Sequence, residues 1–343
     1  MCDFPETYIC DFHDENAVKR MAYSPLGKTG INVSKLSLGT GGFSQLYGGF
    51  DLEECKKTVR GALKSGINYI DTAPWYGQGT SEETLGKCLD GIPRKAYYIA
   101  TKIGRYELDP KLMFDFSPEK TRGSLELSLK RLGLDYVDII QVHDIEFAPS
   151  LEYLIDNTLP VLEEFVKQGK ARFIGITGYP VIELAKLFEK SRVKIDSVLS
   201  YSRMSLFDDS LENALEMFEG VGIVNAAYLA MGLLTNGGPQ PWHPAGSAIK
   251  DACLKARNYC KENDVELAKL AMHYVYSKKS IHTHLVGMNT VDLLKSNLDT
   301  FYNGLNGKEK KVLEHIMQNI FLDLKEKHWE GVEIKKYIGQ LQM

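Results

Sequence analysis

Between residues 36 and 298 the chain alternates eight times between a short β-rich apolar run and an amphipathic helical stretch. The β-rich runs fall at 36–40, 67–71, 96–102, 136–143, 172–178, 197–200, 222–227 and 283–287. One helix shows how the units are punctuated. Asp51 and Glu54 have capping-box spacing, Leu52, Cys55, Val59, Ala62 and Leu63 form one stripe, and Gly66 stops it. Strict β-α alternation implies parallel strands with helices outside them. A doubly wound sheet usually stops near six strands, whereas eight units over about 260 residues match a (β/α)8 TIM barrel. The alternating segment 23–34 around Gly27 and Gly30 predicts an N-terminal hairpin, and the tail from Lys308 reads as helical. No Pro- or Ser-rich linker interrupts the chain. The expectation is one domain over 21–343, preceded by a polar extension over 1–20 without clear period.

Composition narrows the function classes. A formal charge of -4 leaves no basic footprint for nucleic acid or an anionic membrane. No apolar segment approaches the roughly 20 residues a bilayer needs. The 6 cysteines contain no C-x-x-C pair, which argues against a disulfide framework or a zinc site. With an acidic N-terminus lacking a basic n-region, the expected compartment is the cytoplasm and no metal is expected.

In a TIM barrel the chemistry lies at the C-terminal ends of the strands. Those ends carry Asp71, Lys102 and His143, and Tyr76 hangs from the loop after Asp71. Singly, each has a plain structural explanation: a hydrogen-bonded histidine, a salt bridge that fixes packing, an aromatic lid. Together on three successive strand ends they point to proton transfer at a carbonyl. A phenol is a slow proton carrier at neutral pH, and an ammonium within about 4–6 Å lowers its pKa. Lys102 supplies that field, Asp71 holds Lys102 charged, and Tyr76 exchanges the proton. His143 aims a donor at the same oxygen.

The residues 71–76, the Thr101-Lys102 pair and the strand 137–143 resemble the aldo-keto reductase superfamily. The segments 36–41, 229–235 and 285–288 are most similar to its L-galactose dehydrogenase-like branch. The resemblance implies a barrel that binds NAD(P) without a Rossmann fold. It implies the tetrad Asp71, Tyr76, Lys102 and His143, with hydride transfer between nicotinamide and a carbonyl or alcohol carbon. The small-molecule partner is then a carbonyl or sugar, contacted by Trp75, Tyr76 and His143.

Carried over residue by residue, the resemblance puts Gly39 and Thr40 beneath the nicotinamide and Asp71 near its ribose. Relatives grip the carboxamide with Ser-Asn where this chain has Thr177 and Gly178. Ser200 is the expected substitute for a missing glutamine, and Tyr228 is a candidate for the ring face. Leu229, Met231 and Gly232 run along the pyrophosphate. Gly287, Met288, Asn289, Leu293 and Asn297 align with the adenosine clamp. NADP-preferring relatives place cations there, whereas this chain has Asn289, Leu293 and a nearby Asp292, which favours NAD modestly. Loop aromatics Phe43, Tyr47, Phe50, Tyr106, Phe114 and Trp242, with His243, are candidate substrate walls. The alternatives are a broad NADPH-dependent aldehyde/ketone reductase and a channel-associated regulatory subunit of the same fold.

Overall fold

Each of the eight β-rich runs forms a strand in the computed structural model, which describes residues 4–342. A hairpin comes first, from β1 (Tyr23–Pro25) and β2 (Asn32–Ser34). The barrel strands are β3 (Leu36–Gly39), β4 (Tyr69–Asp71), β5 (Tyr98–Ile103) and β6 (Val137–Val142). They continue with β7 (Ala171–Gly178), β8 (Ser197–Tyr201), β9 (Gly222–Ala226) and β10 (Thr283–Gly287). All pair in parallel in chain order, and β10 closes the barrel on β3 with Gly287 opposite Gly39.

Strands of such a barrel are buried on both faces, which is why they read as continuous apolar runs. Tyr69, Tyr98, Ala100, Ile139, Leu199, Val224 and Leu285 fill the interior. Ile70, Ile99, Ile140, Ile174, Val198 and Ile223 face the helices instead. Leu26, Ile31 and Val33 of the hairpin join the interior cluster and plug the floor of the barrel. The plug is close-fitting: a Cβ on Gly222, at the start of β9, would lie 2.5 Å from Leu26 Cγ.

Two local expectations need correction. The N-terminal extension is not periodless. Asp14 caps a short helix, Glu15–Arg20, which buries Val18, and Thr7 is buried against Asn68 with 3.0 Å between Oγ1 and Nδ2. The capping box at Asp51 is half made. Asp51 accepts the Glu54 amide at 2.7 Å, but Glu54 Oε1 reaches across to the Val291 amide at 3.1 Å. The region 247–277 is two helices, Ser247–Glu262 and Leu267–Tyr276, broken where Asp264 takes a left-handed φ of 51°. Before β9 the helical stretch is short, Ser210–Asn213 followed by a 3-10 turn, Leu215–Phe218. Among the described residues no helix is long and apolar enough to cross a membrane.

Leu26→Ala should test the plug. The side chain is fully buried, and its removal leaves a cavity with an expected cost of about 2–5 kcal/mol in urea unfolding.

Candidate active site

The Lys102 side chain runs up the inside of the barrel from β5, and its ammonium has three acceptors. It donates to Asp71 Oδ1 at 2.5 Å, to the Thr72 carbonyl at 2.8 Å and to the Tyr76 hydroxyl at 3.2 Å. Three N–H groups meet three oxygens, so the buried charge is fully used. Asp71 has a second partner absent from the sequence reading, Gln141 Nε2, which donates to Oδ2 at 2.8 Å. Gln141 lies on β6 two residues before His143, which follows the strand directly, so strand alternation turns both to the same side. Thr40 ties the backbone beneath: its amide and its hydroxyl each donate to the Asp71 carbonyl at 3.0 Å.

Burial pushes the Asp71 carboxyl up, against the pull of Lys102 and Gln141. Burial works against the Lys102 ammonium too, yet Asp71 and Tyr76 outweigh it and hold its pKa above the ordinary value. With every donor matched by an acceptor, the charged pair is the state this geometry suits. For Tyr76 the expectation from sequence is reversed. Burial raises the phenol pKa more than Lys102 lowers it, and Asp71 and Asp144 add to the rise. The hydroxyl is therefore protonated at neutral pH. His143 crosses the Tyr76 ring edge-on at 6.0 Å between centroids. Burial pulls its pKa down to about 3, with Lys102 and Arg105 assisting against Asp144, so the imidazole is neutral. Its Nδ1 is buried without a partner.

A second polar group surrounds this one at the mouth. Arg105 lies 4.1 Å above the Trp75 ring and donates to Asp144 Oδ2 at 2.7 Å. The C-terminal tail folds over the same mouth. Tyr201 donates to Glu333 Oε2 at 3.2 Å, and Tyr337 meets Phe114 and Phe147 edge-on at 5.1 and 5.6 Å. Trp329 stacks on Tyr179 at 4.8 Å. Arg105, Asp144 and Glu333 escaped the sequence reading because their partners lie on different loops. The position of Asp144 directly after His143 was the available signal.

The aldo/keto reductase family model matches residues 35–317. The chain belongs to the aldo/keto reductase family. It is 41% identical to L-galactose dehydrogenase of Arabidopsis thaliana over 80% of this chain and 86% of that protein. It is 30% identical to D-arabinose 1-dehydrogenase of Saccharomyces cerevisiae, again over 80% and 86%. Among solved structures it is similar to a holo-form aldo-keto reductase of Bacillus halodurans. The TM-score is 0.68 and the identity 26%, over 86% of this chain and 96% of that one.

The residues expected to hold a dinucleotide fall into three groups in this aldo/keto reductase. Gly39 and Gly287 lie side by side at the ends of β3 and β10 and leave the mouth bare of side chains on that edge. The segment after β9 is strained: Ala227, Ala230 and Met231 have φ of 49°, 48° and 48°, and Gly232 has 99°. Left-handed residues turn successive amides toward one side, a shape that suits an anion. Leu229 is half-buried beside them. Thirdly, Met288 and Asn297 are buried and Leu293 is exposed around the helix Val291–Asn303, while Asn289 donates to the Gly42 carbonyl at 3.3 Å. These features fit a dinucleotide laid across the barrel end.

The remaining expected contacts have varied surroundings. Thr177 Oγ1 accepts the Asp144 amide at 3.2 Å. Ser200 alternates to the side of β8 away from Leu199 and Tyr201, and its hydroxyl is buried without a partner. Tyr228 packs away from the mouth, with its hydroxyl 2.9 Å from that of Tyr276. Phe43 is wholly buried, and Phe50 packs half-buried against the core layer between strands and helices. Tyr106 accepts the Gly104 amide at 2.9 Å and lines a separate cleft with Pro74, Gln78 and Lys120. His243 is buried against the Ala230 carbonyl at 3.0 Å, so it secures the strained segment rather than facing substrate. Trp242 is 46% exposed, and the Tyr47 side chain lies outside the described residues.

The depressed His143 pKa has a stability consequence. Between about 3 and its unfolded value near 6.5, the unfolded chain binds a proton that the folded chain does not. Stability from the neutral imidazole is therefore full above that unfolded value and lost as pH falls below it. In urea unfolding at pH 7 and pH 5, His143→Gln should shrink the acid-induced loss by about 2 kcal/mol relative to wild type. An unchanged loss would mean that the folded protein accommodates the imidazolium.

Proposed function

We propose that this aldo/keto reductase is an NAD-linked sugar dehydrogenase acting on an aldose of the L-galactose type, with Tyr76 as general acid/base. The observation that carries the reading is Lys102 Nζ, 3.2 Å from the Tyr76 hydroxyl and fully paired by Asp71 and Thr72. The sugar dehydrogenases among its relatives support the aldose as substrate.

The nicotinamide, when bound, supplies or accepts the hydride at its ring C4. The chain's own residues handle the proton and the geometry. Tyr76 holds its proton at neutral pH, ready to give it to a carbonyl oxygen as charge develops there. Lys102 stabilises the phenolate left behind, which makes the transfer less costly than burial alone would allow. In sugar oxidation the acceptor is the phenolate of Tyr76, stabilised by Lys102, so the hydroxyl must first release its own proton before it takes one from the sugar. Neutral His143 can bind the reacting oxygen without adding a competing positive charge. Arg105, Asp144 and Glu333 line the mouth with a donor and two acceptors suited to sugar hydroxyls.

The lean to NAD has a further support beyond the missing cations. Glu54 seats its carboxylate on the first amide of the helix Val291–Asn303, and Asp292 follows in the first turn. A 2'-phosphate there would meet two negative charges rather than an arginine.

Two measurements test the reading. Tyr76→Phe should lower turnover of L-galactose about 10²- to 10⁴-fold while NADH affinity stays within about twofold, because only the proton donor is lost. Wild-type rates in that variant would overturn the role of Tyr76. In fluorescence titrations NADH should bind more tightly than NADPH. Glu54→Gln keeps the acceptor for Val291 and removes the charge, so the gap should narrow; tighter NADPH binding by wild type would reverse the assignment.

A further inference from the structure

Asp144 stands where an aspartate ordinarily caps a helical turn, and it does not cap one. It directly precedes the 3-10 turn Ile145–Phe147, yet its side chain accepts none of the turn's amides. Its backbone is left-handed, with φ 50° and ψ 62°. Such a conformation costs a non-glycine residue some strain, and it clusters at ligand sites where the surroundings enforce it. The carboxylate is directed to the reacting residues instead.

Asp144 Oδ2 lies 3.7 Å from His143 Nε2 and accepts Arg105 Nη1 at 2.7 Å. His143 Nδ1 is sealed in the interior, so Nε2 is the nitrogen that can meet a ligand. Contacts run on across the mouth in both directions: His143 meets Tyr76 edge-on, and Arg105 rests over Trp75. The Arg105 side chain is 18% exposed and Tyr76 is half-buried, so the group borders the opening. The ion pair keeps Asp144 charged, and a carboxylate beside Nε2 favours the tautomer with its hydrogen on that nitrogen. A donor for one ligand oxygen thus stands next to an acceptor for a second. Their separation is little more than one hydrogen-bond length, which suits oxygens carried on adjacent carbons. Pairing Arg105 alone would not require the carboxylate to lie beside His143.

We propose that Asp144 binds the hydroxyl on the carbon next to the reacting one, so that the site selects α-hydroxy substrates over simple aldehydes and ketones. The proposal rests on the sugar dehydrogenase reading above and deepens it. The reacting oxygen takes Tyr76 and His143 Nε2, and the neighbouring hydroxyl gives its hydrogen to Asp144. In an aldose oxidised at C1, that group is the C2 hydroxyl. A substrate without it strips water from the carboxylate and returns no hydrogen bond, a loss greater for a charged acceptor than for a neutral one. Arg105 is then a positioning residue that holds the carboxylate in place.

The test compares kcat/KM for L-galactose, 2-deoxy-L-galactose and 6-deoxy-L-galactose in wild type, Asp144→Gly and Asp144→Asn. Glycine accepts a φ of 50° freely and asparagine tolerates it, and NADH quenching checks that both variants are folded. Wild type should lose about 10²-fold on the 2-deoxy sugar. In Asp144→Gly, L-galactose should fall about 10²-fold, and its advantage over the 2-deoxy sugar should shrink to within about threefold. Asp144→Asn keeps a neutral acceptor and should retain an advantage of about tenfold. The 6-deoxy sugar, altered far from the reacting carbon, should keep its wild-type ratio to L-galactose in both variants. An unchanged preference in Asp144→Gly, with all three sugars slowed alike, would mark a structural role and overturn the proposal. Equal use of L-galactose and its 2-deoxy form by wild type would overturn it as well. If wild type oxidised none of the three, the sugar reading itself would fall, and this proposal with it.

Discussion

The buried ammonium of Lys102 is the constraint on which the rest of the site depends. A charge inside a barrel is tolerated only where its hydrogen bonds are complete. Completing them recruits neighbours strand by strand. Asp71 comes from the end of β4, Thr72 and Tyr76 from the loop behind it, and Lys102 from β5. Gln141 on β6 closes the far side of the carboxylate, and Thr40 after β3 fastens the Asp71 carbonyl. Four consecutive strands thus have to be in register before the charge is satisfied. Tyr76 inherits its position from that requirement, because its hydroxyl is one of the three acceptors.

The same burial decides the protonation states. Placing a phenol beside an ammonium is commonly read as a way to lower its pKa. Here desolvation is the larger effect on Tyr76, and Lys102 only limits the rise. Desolvation acts in the opposite sense on His143, because for a base it is the protonated form that carries the charge. The outcome is a protonated hydroxyl next to a neutral imidazole, set by one low-dielectric environment acting on an acid and a base. In the proposed reaction this asymmetry assigns the proton to Tyr76 and leaves His143 to orient the oxygen.

The barrel was legible because its signal is local and repeated: apolar runs and helical stripes recur eight times, and closure follows from their number. That Asp71, Lys102 and His143 meet, with Tyr76 on the adjoining loop, was legible for a related reason, since a barrel gathers its strand ends at one mouth. What stayed hidden depends on partners remote in the chain. Glu54 has the spacing of a capping box, yet its carboxylate goes to Val291, 237 residues away. Tyr106 and His243 look like wall residues from their loops, but each is drawn inward by a backbone group it bonds. The C-terminal tail gives a helical pattern that says nothing of the mouth it covers. Periodicity reports which face of an element is apolar, and it is silent on which distant loop a polar side chain will meet.

The charges at the mouth bear on substrate chemistry. Arg105 is held by Asp144 at 2.7 Å and rests on the Trp75 ring, so its positive charge is already matched before any ligand enters. Glu333 adds a carboxylate from the tail, while burial and then Asp144 push the Glu146 carboxyl well above the usual carboxylate range. Among the described residues, a phosphorylated or carboxylated substrate would find no unmatched cation there to offset its desolvation, and the Glu333 carboxylate to repel it. A neutral polyol meets the opposite condition, because Arg105 retains donors and both carboxylates retain acceptor capacity. The proposed aldose and the proposed NAD thus follow one electrostatic pattern: at both the substrate mouth and the helix beginning at Val291, carboxylates stand where a phosphate would need arginine.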